Sequence, residues 1–213
     1  QELWDKLAEN GQILVPLRKH SFSEFYGWVE DKFGVSWHLV STEGNDYEQE
    51  IIPTLLFAGE NIGKAKEAMH YYTDIFHNGE IVDEYDFEEG MAEHPKAELM
   101  HGLFKLMGVE LAAMDDMDQN DFDFNEAFSL MVMCETQGEI DYYWDKLSAV
   151  AEAEQCGWLK DKYGISWQIV PHNMDELLSK GTRKQINAVT EAFLKMKKLD
   201  KDRLEMVWQM NAE

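Results

Sequence analysis

The sequence predicts an α+β protein made of successive βαβββ units and closed by a helical tail. Three observations predict it. The chain repeats one of its own blocks, residues 50–171 alternate strand-like and helix-like patterns in a fixed order, and after Pro171 the apolar spacing becomes helical throughout.

The repeat comes first. Gly27-Trp28-Val29-Glu30-Asp31-Lys32-Phe33-Gly34-Val35-Ser36-Trp37 matches Gly157-Trp158-Leu159-Lys160-Asp161-Lys162-Tyr163-Gly164-Ile165-Ser166-Trp167, and only Glu30 against Lys160 changes character. Upstream, Trp4-Asp5-Lys6-Leu7 matches Trp144-Asp145-Lys146-Leu147, with an insertion in the first copy spanning roughly Gly11 to Glu24. Two blocks in the same order, separated by different lengths, are the signature of a repeated supersecondary unit.

Each element has a local reason. Ile51–Phe57 is an apolar run bounded by Gly59, hence a buried strand. Ala65, Ala68, Met69, Tyr72 and Phe76 form one stripe at helical spacing between Ile62 and Phe76. Glu80–Phe87, Glu98–Met107 and Val109–Met114 read as strands, the last two joined at Gly108. Phe128–Cys134 opens the next unit, and Ile140, Tyr143, Trp144 and Leu147 predict an amphipathic helix over Glu139–Leu147. Cys156–Lys160 and Ile165–Val170 are strands around a turn at Gly164, with room for one more short strand before them. Alternation puts Ile165, Trp167 and Ile169 on one face and Ser166 and Gln168 on the other, so Trp167 is expected beneath the helix of its own unit. Helices are expected at Met174–Leu178, Thr182–Lys198 and Asp200–Met210, the last capped by Asp200.

Composition narrows the function classes. The 213 residues include 42 acidic and 19 basic ones, a net charge of -23, which repels phosphate backbones and argues against nucleic acid as a partner. No apolar run is long enough to span a membrane. Residue 1 is a glutamine within a polar, helix-like stretch, where no signal peptide is expected. Two cysteines, Cys134 and Cys156, lie in apolar strand-like runs, so a reducing compartment and a cytoplasmic location are expected rather than a disulfide framework.

The block Cys156–Pro171 and the paired units resemble the PhnB-like branch of the glyoxalase/bleomycin-resistance superfamily, the vicinal oxygen chelate proteins. Leu99-Met100-His101-Gly102, Met114-Asp115, Phe124-Asn125-Glu126-Ala127-Phe128-Ser129 and Phe193-Leu194-Lys195-Met196-Lys197-Lys198 carry the same resemblance. It implies a half-open, eight-stranded cup per module with a small organic ligand on its concave face, and a two-module parent. Residues 1–43 then correspond to the second half of a first module without its start, 44–49 to a linker, 50–171 to a complete module and 172–213 to a helical tail. The apolar faces of the partial module need a cover, and a homodimer is expected to supply it.

The resemblance also bears on chemistry. Members of the branch are labelled 3-demethylubiquinone methyltransferases. A nucleotide-fold methyltransferase needs a glycine-rich turn of the Gly-x-Gly kind, and here no two glycines lie closer than Gly59 and Gly63. Metal-dependent relatives bind a divalent ion at positions that fall near Pro53 or Thr54, near Ala112, at Ser129 and at Gln168, with His38 as the counterpart of Gln168 in the partial module. Threonine, alanine, serine and glutamine are poor ligands for a transition metal, so no metal and no cofactor is expected.

The candidate pocket residues are therefore His101, Phe104, Asp115, Ser129, Cys156, Trp158 and Gln168. His101 reads either as a hydrogen-bonding group in the cup or as a satisfied structural histidine. Asp115 sits at a strand end where it can orient His101, or belongs with Asp116, Asp118, Asp121 and Asp123 to a solvated acidic loop that lacks calcium-loop spacing. Cys156 is a nucleophile only if a base approaches it, and otherwise an inert buried thiol. Trp158, Phe104 and the methionines suit an apolar, adaptable pocket and equally a core. Three function classes follow: a metal-free protein that binds and transforms a small organic molecule, a metal-dependent lyase or dioxygenase, and a non-catalytic sequestration protein of the drug-resistance kind.

Overall fold

The computed structural model describes residues 1–20, 23–41, 49–117 and 120–212, in two compact units, Gln1–Glu50 and Ile51–Glu213. The expected linker falls mostly outside the described residues.

The first unit is one helix on one sheet. α1 (Glu2–Ala8) precedes β1 (Gln12–His20), β2 (Ser23–Glu30) and β3 (Ser36–Val40), which pair antiparallel in the order β1-β2-β3. The residues read as an insertion between Gly11 and Glu24 are thus a whole strand. Gly27 is small for a reason: a Cβ there would lie 2.6 Å from the ring of Trp4, the one buried residue of α1. The β2–β3 turn is organised by Asp31, which accepts from the amides of Phe33 (2.8 Å) and Val35 (3.0 Å) and from the indole of Trp37 (3.0 Å).

The second unit contains two half-modules. In the first, β4 (Thr54–Phe57), α2 (Ala65–Ile75), β5 (Glu80–Asp86), β6 (Leu99–Leu106) and β7 (Val109–Asp115) form a sheet in the order β4-β7-β6-β5. In the second, β8 (Ser129–Cys134), α3 (Gln137–Leu147), β9 (Trp158–Lys160) and β10 (Ser166–Pro171) form a sheet in the order β8-β10-β9. In both, the opening strand lies parallel to the last one, a pairing that requires a long crossover, here through the helix. α3 is started by a reciprocal cap between Thr136 and Glu139.

The two sheets of this unit hold seven described strands, where the resemblance implies eight. The one without a counterpart is the strand that would follow α3. Its place is taken by residues 148–155, an Ala/Glu-rich stretch of low strand propensity that winds into a 3-10 turn at Ala151–Ala153.

One continuous core joins the halves. Trp167 is 1 % exposed and faces the helical side, as alternation requires. Its ring neighbours, however, come from the other half: Phe76 stacks on it at 5.3 Å, and Tyr72 of α2 lies at 5.3 Å. Phe76 also stacks on Tyr143 of α3 at 4.9 Å, so one phenyl ring bridges both helices and β10.

The tail consists of α4 (Met174–Ser179), α5 (Arg183–Phe193) and α6 (Lys201–Met210) around a small core of Leu177, Val189, Met196, Leu199 and Leu204. The helix expected to run to Lys198 stops at Phe193, and the segment from Leu194 to Leu199 leaves helical geometry to bury Leu199. Among the described residues no helix is long and apolar enough to cross a membrane.

Truncating a buried aromatic in such a core costs about 3–5 kcal/mol, and Trp167→Ala is expected to lose that much in chemical denaturation. A loss below about 1 kcal/mol would mean that the ring contacts contribute little.

Candidate functional site

The face of β8-β10-β9 that points away from the core is a small grid. Strand alternation sends Val132, Cys134, Leu159, Trp167 and Ile169 inward, which leaves Ser129, Met131, Met133, Trp158, Lys160, Ser166 and Gln168 on the opposite face. The register fixes their neighbours. Ser166 lies opposite both Ser129 and Lys160, and Gln168 opposite both Met131 and Trp158. One row is therefore polar (Ser129, Ser166, Lys160), and the next carries Met131, Gln168 and Trp158. Met131 and Met133, on the edge strand β8, are 55 % and 47 % exposed.

The polar groups on this face are tied together. The Gln168 amide donates to Ser129 Oγ at 2.9 Å, and Lys160 Nζ bonds Glu126 at 2.6 Å, holding that carboxyl below its usual range. Gln155, Cys156, Trp158, Lys160, Ser166 and Glu126 line a cleft of about 470 Å³ at the β9 side. Lys160, Glu126, Ser166 and Met131 were not singled out from the sequence, although alternation already put Ser166 on the face of Gln168.

The structure brings together Ser129, Gln168 and Trp158, with Cys156 at the rim of the cleft. The remaining candidates lie elsewhere. Phe104 is fully buried on the helical side of β6, within the core. Asp115 is committed to backbone donors: the amides of Gly63 (2.8 Å) and Ala65 (3.3 Å) at one oxygen, and those of Glu98 and Leu99 (both 3.0 Å) at the other. It fixes the start of α2 to the start of β6. Asp116 likewise accepts from the Asn120 amide at 3.1 Å. His101 lies in the other sheet, opposite Tyr85, and burial pushes its pKa below the ordinary value against a smaller opposing pull from Asp83. Burial pushes the Cys134 thiol up to about 12, which makes it a poor nucleophile. Cys156 is half-buried in a left-handed turn, φ 53°.

The four positions corresponding to a metal site form two adjacent pairs, Thr54 beside Ala112 and Ser129 beside Gln168. None offers imidazole, thiolate or carboxylate, so these residues do not fit a divalent transition metal. His38 in the first unit lies 4.7 Å from the Trp28 ring, with its Nδ1 3.3 Å from the Tyr26 hydroxyl. Among the described residues no three His, Cys, Asp or Glu side chains gather into a metal-binding group.

Comparison with known proteins gives the family. Residues 1–40 and 49–170 match the family model described as 3-demethylubiquinone-9 3-methyltransferase. The chain belongs to this family. A PhnB protein of the family from Bacillus cereus is 36 % identical over 57 % of this chain and 99 % of its own, with a TM-score of 0.49. Protein PA1353 from Pseudomonas aeruginosa is 17 % identical over 58 % of this chain and 98 % of its own, TM-score 0.44. The fosfomycin resistance protein FosX from Listeria monocytogenes, complexed with Mn(II) and sulfate, is 11 % identical over 63 % of this chain and 98 % of its own, TM-score 0.40. No curated protein matches. The family is PhnB-like. The residues after 170 lie outside the matched range.

His101 gives this PhnB-like chain a pH signature. Its folded-state pKa is depressed below 6.5, so the unfolded chain takes up the proton more readily. The stability contribution is therefore complete above about pH 6.5 and is lost as the pH falls toward the folded-state value. His101→Gln is expected to flatten the decline of denaturation free energy between about pH 7 and pH 5; an unchanged slope would place the imidazole in water.

Proposed function

We propose that this PhnB-like protein binds a small organic molecule on the open face of β8-β10-β9, without a metal. The observation that supports it is the two-row grid. Donors at one end, the Ser129 hydroxyl and the Lys160 ammonium, suit a carbonyl, hydroxyl or carboxylate oxygen of the ligand. Trp158, Met131 and Met133 offer a polarizable apolar surface to the rest of it. Transformation of the ligand would fall to Lys160 with Glu126, or to Cys156; sequestration needs only the grid itself. The methyltransferase in the family's name has no support in the glycine spacing of this chain.

Native mass spectrometry of the freshly purified protein is expected to show a bound organic molecule, released on unfolding. Trp158→Ala and Gln168→Ala should each weaken rebinding of that molecule about tenfold or more, roughly 1.4 kcal/mol. Equal affinity in both variants would move the ligand off this face.

Dialysed protein should retain no stoichiometric Zn, Ni, Mn or Fe. One equivalent that is kept by the parent and lost in Ser129→Ala or Gln168→Ala would instead establish the metal-dependent lyase or dioxygenase reading.

We further propose that two copies associate through the first unit. β3 pairs with β2 alone among the described strands, and Leu3, Val35 and Val40 are exposed on this unit. An exposed sheet edge with apolar neighbours favours pairing with a second chain. Sedimentation equilibrium is expected to give a dimer; a monomer at all concentrations tested overturns the assignment.

A further inference from the structure

We infer that the C-terminal helical tail holds the cleft end of β9 in place by capping the turn at Cys156–Gly157 that leads into it. Three half-modules in this chain can be compared. β1 flanks β2 in the first unit and β5 flanks β6 in the first half of the second unit, each covering the outer edge of the strand beside it. The outer edge of β9 has no such strand. Residues 148–155 satisfy it in two places: the Ala149 amide bonds the Lys160 carbonyl at 3.0 Å, and Gln155 and Trp158 exchange bonds of 3.1 and 2.8 Å.

The tail takes over at the turn between Gln155 and Trp158. The Cys156 amide donates to the Met196 carbonyl and the Gly157 amide to the Lys197 carbonyl, both at 2.8 Å. Both donors belong to a left-handed turn, φ 53° and 86°, so their successive amides point the same way, and the segment that accepts from them is the one that leaves helical geometry after Phe193. It is clamped on both sides. Gln137, in the first turn of α3, donates to the Leu199 carbonyl (3.2 Å) and accepts from the Lys201 amide (2.8 Å). Lys197 Nζ reaches the Ala151 carbonyl (3.0 Å) and Glu154 (3.1 Å), and Lys198 pairs with Asp141 at 2.7 Å. Leu199 packs so closely that a Cβ on Gly157, whose φ is 86°, would lie 3.1 Å from it. The matched range ends at residue 170, so the cover lies outside it. Trp158 follows Gly157 directly, so the tail also fixes one wall of the cleft.

Amide hydrogen exchange of the full chain tests this. In the parent, the Cys156 and Gly157 amides are expected to be protected although no strand of the sheet covers them. Leu204→Ala, which empties the centre of the tail core, should speed their exchange at least tenfold together with the amides of α5 and α6. The amides of Tyr163 and Ile165, which donate to Asp161, should keep their rates. Gln137→Ala cuts the clamp and leaves both cores intact, and should speed exchange at 156 and 157 several-fold while the centre of α5 is unaffected; it decides the matter if Leu204→Ala unfolds the whole chain. Unprotected amides at 156 and 157 in the parent would overturn the inference. So would unchanged rates there in Gln137→Ala, or in a Leu204→Ala chain whose α5 and α6 exchange freely.

Discussion

The second unit is organised around one carboxylate. Asp161 is 1 % exposed and collects four donors: the Tyr72 hydroxyl at 2.6 Å, the Trp167 indole at 2.7 Å, and the amides of Tyr163 at 2.9 Å and Ile165 at 3.0 Å. Burial pushes its pKa upward, and the four donors pull the other way. A buried charge is tolerated only when it is fully hydrogen-bonded, so each donor must stay in place. That requirement shapes the β9–β10 turn through two amides, orients Trp167 toward α2, and ties the helix of one half to the strand of the other through Tyr72. Asp31 holds the matching turn of the first unit with three of the same kinds of donor, but in a more exposed setting and without a tyrosine. The repeat therefore preserves a turn, and the complete module adds to it a junction between halves.

Much of the fold was legible because the signals were local. Helix stripes, strand alternation and the doubled Asp-x-x-Gly turn each depend on residues within one or two turns of chain, and they placed nearly every element within a few residues. Two features were not. The stretch between Gly11 and Glu24 reads as an insertion when the two copies are compared with each other; only its pairing with β2 shows that the shorter copy is the one lacking a strand. Beyond the end of α5, the Met196 and Lys197 carbonyls accept from the Cys156 and Gly157 amides, about forty residues away in sequence, and no periodicity announces that.

The site divides in the same way. The resemblance pointed to Ser129 and Gln168, and the register of β8, β10 and β9 adds Trp158 to their face. Parity puts Phe104 and His101 on opposite faces of β6 but does not say which face is the core, and Phe104 is in it. Asp115 illustrates a general difficulty: an aspartate at a strand end looks the same in sequence whether it meets a ligand or caps a distant loop. Its four backbone donors come from residues 16 to 52 positions away, so the distinction exists only in three dimensions.

The parallel pairs β4–β7 and β8–β10 have a consequence for how the chain is made. Each sheet closes on a strand that is synthesised last in its half, so β4 waits for residues up to Asp115 and β8 for residues up to Pro171. Such non-local closure is slow and leaves edges bare meanwhile. During vectorial synthesis the first half can settle while the second is still emerging, but the Cys156–Gly157 turn stays open until Lys197 has left the ribosome. Until the segment through Lys197 is in place the second half lacks this cap, and open edges are where errors of strand pairing arise.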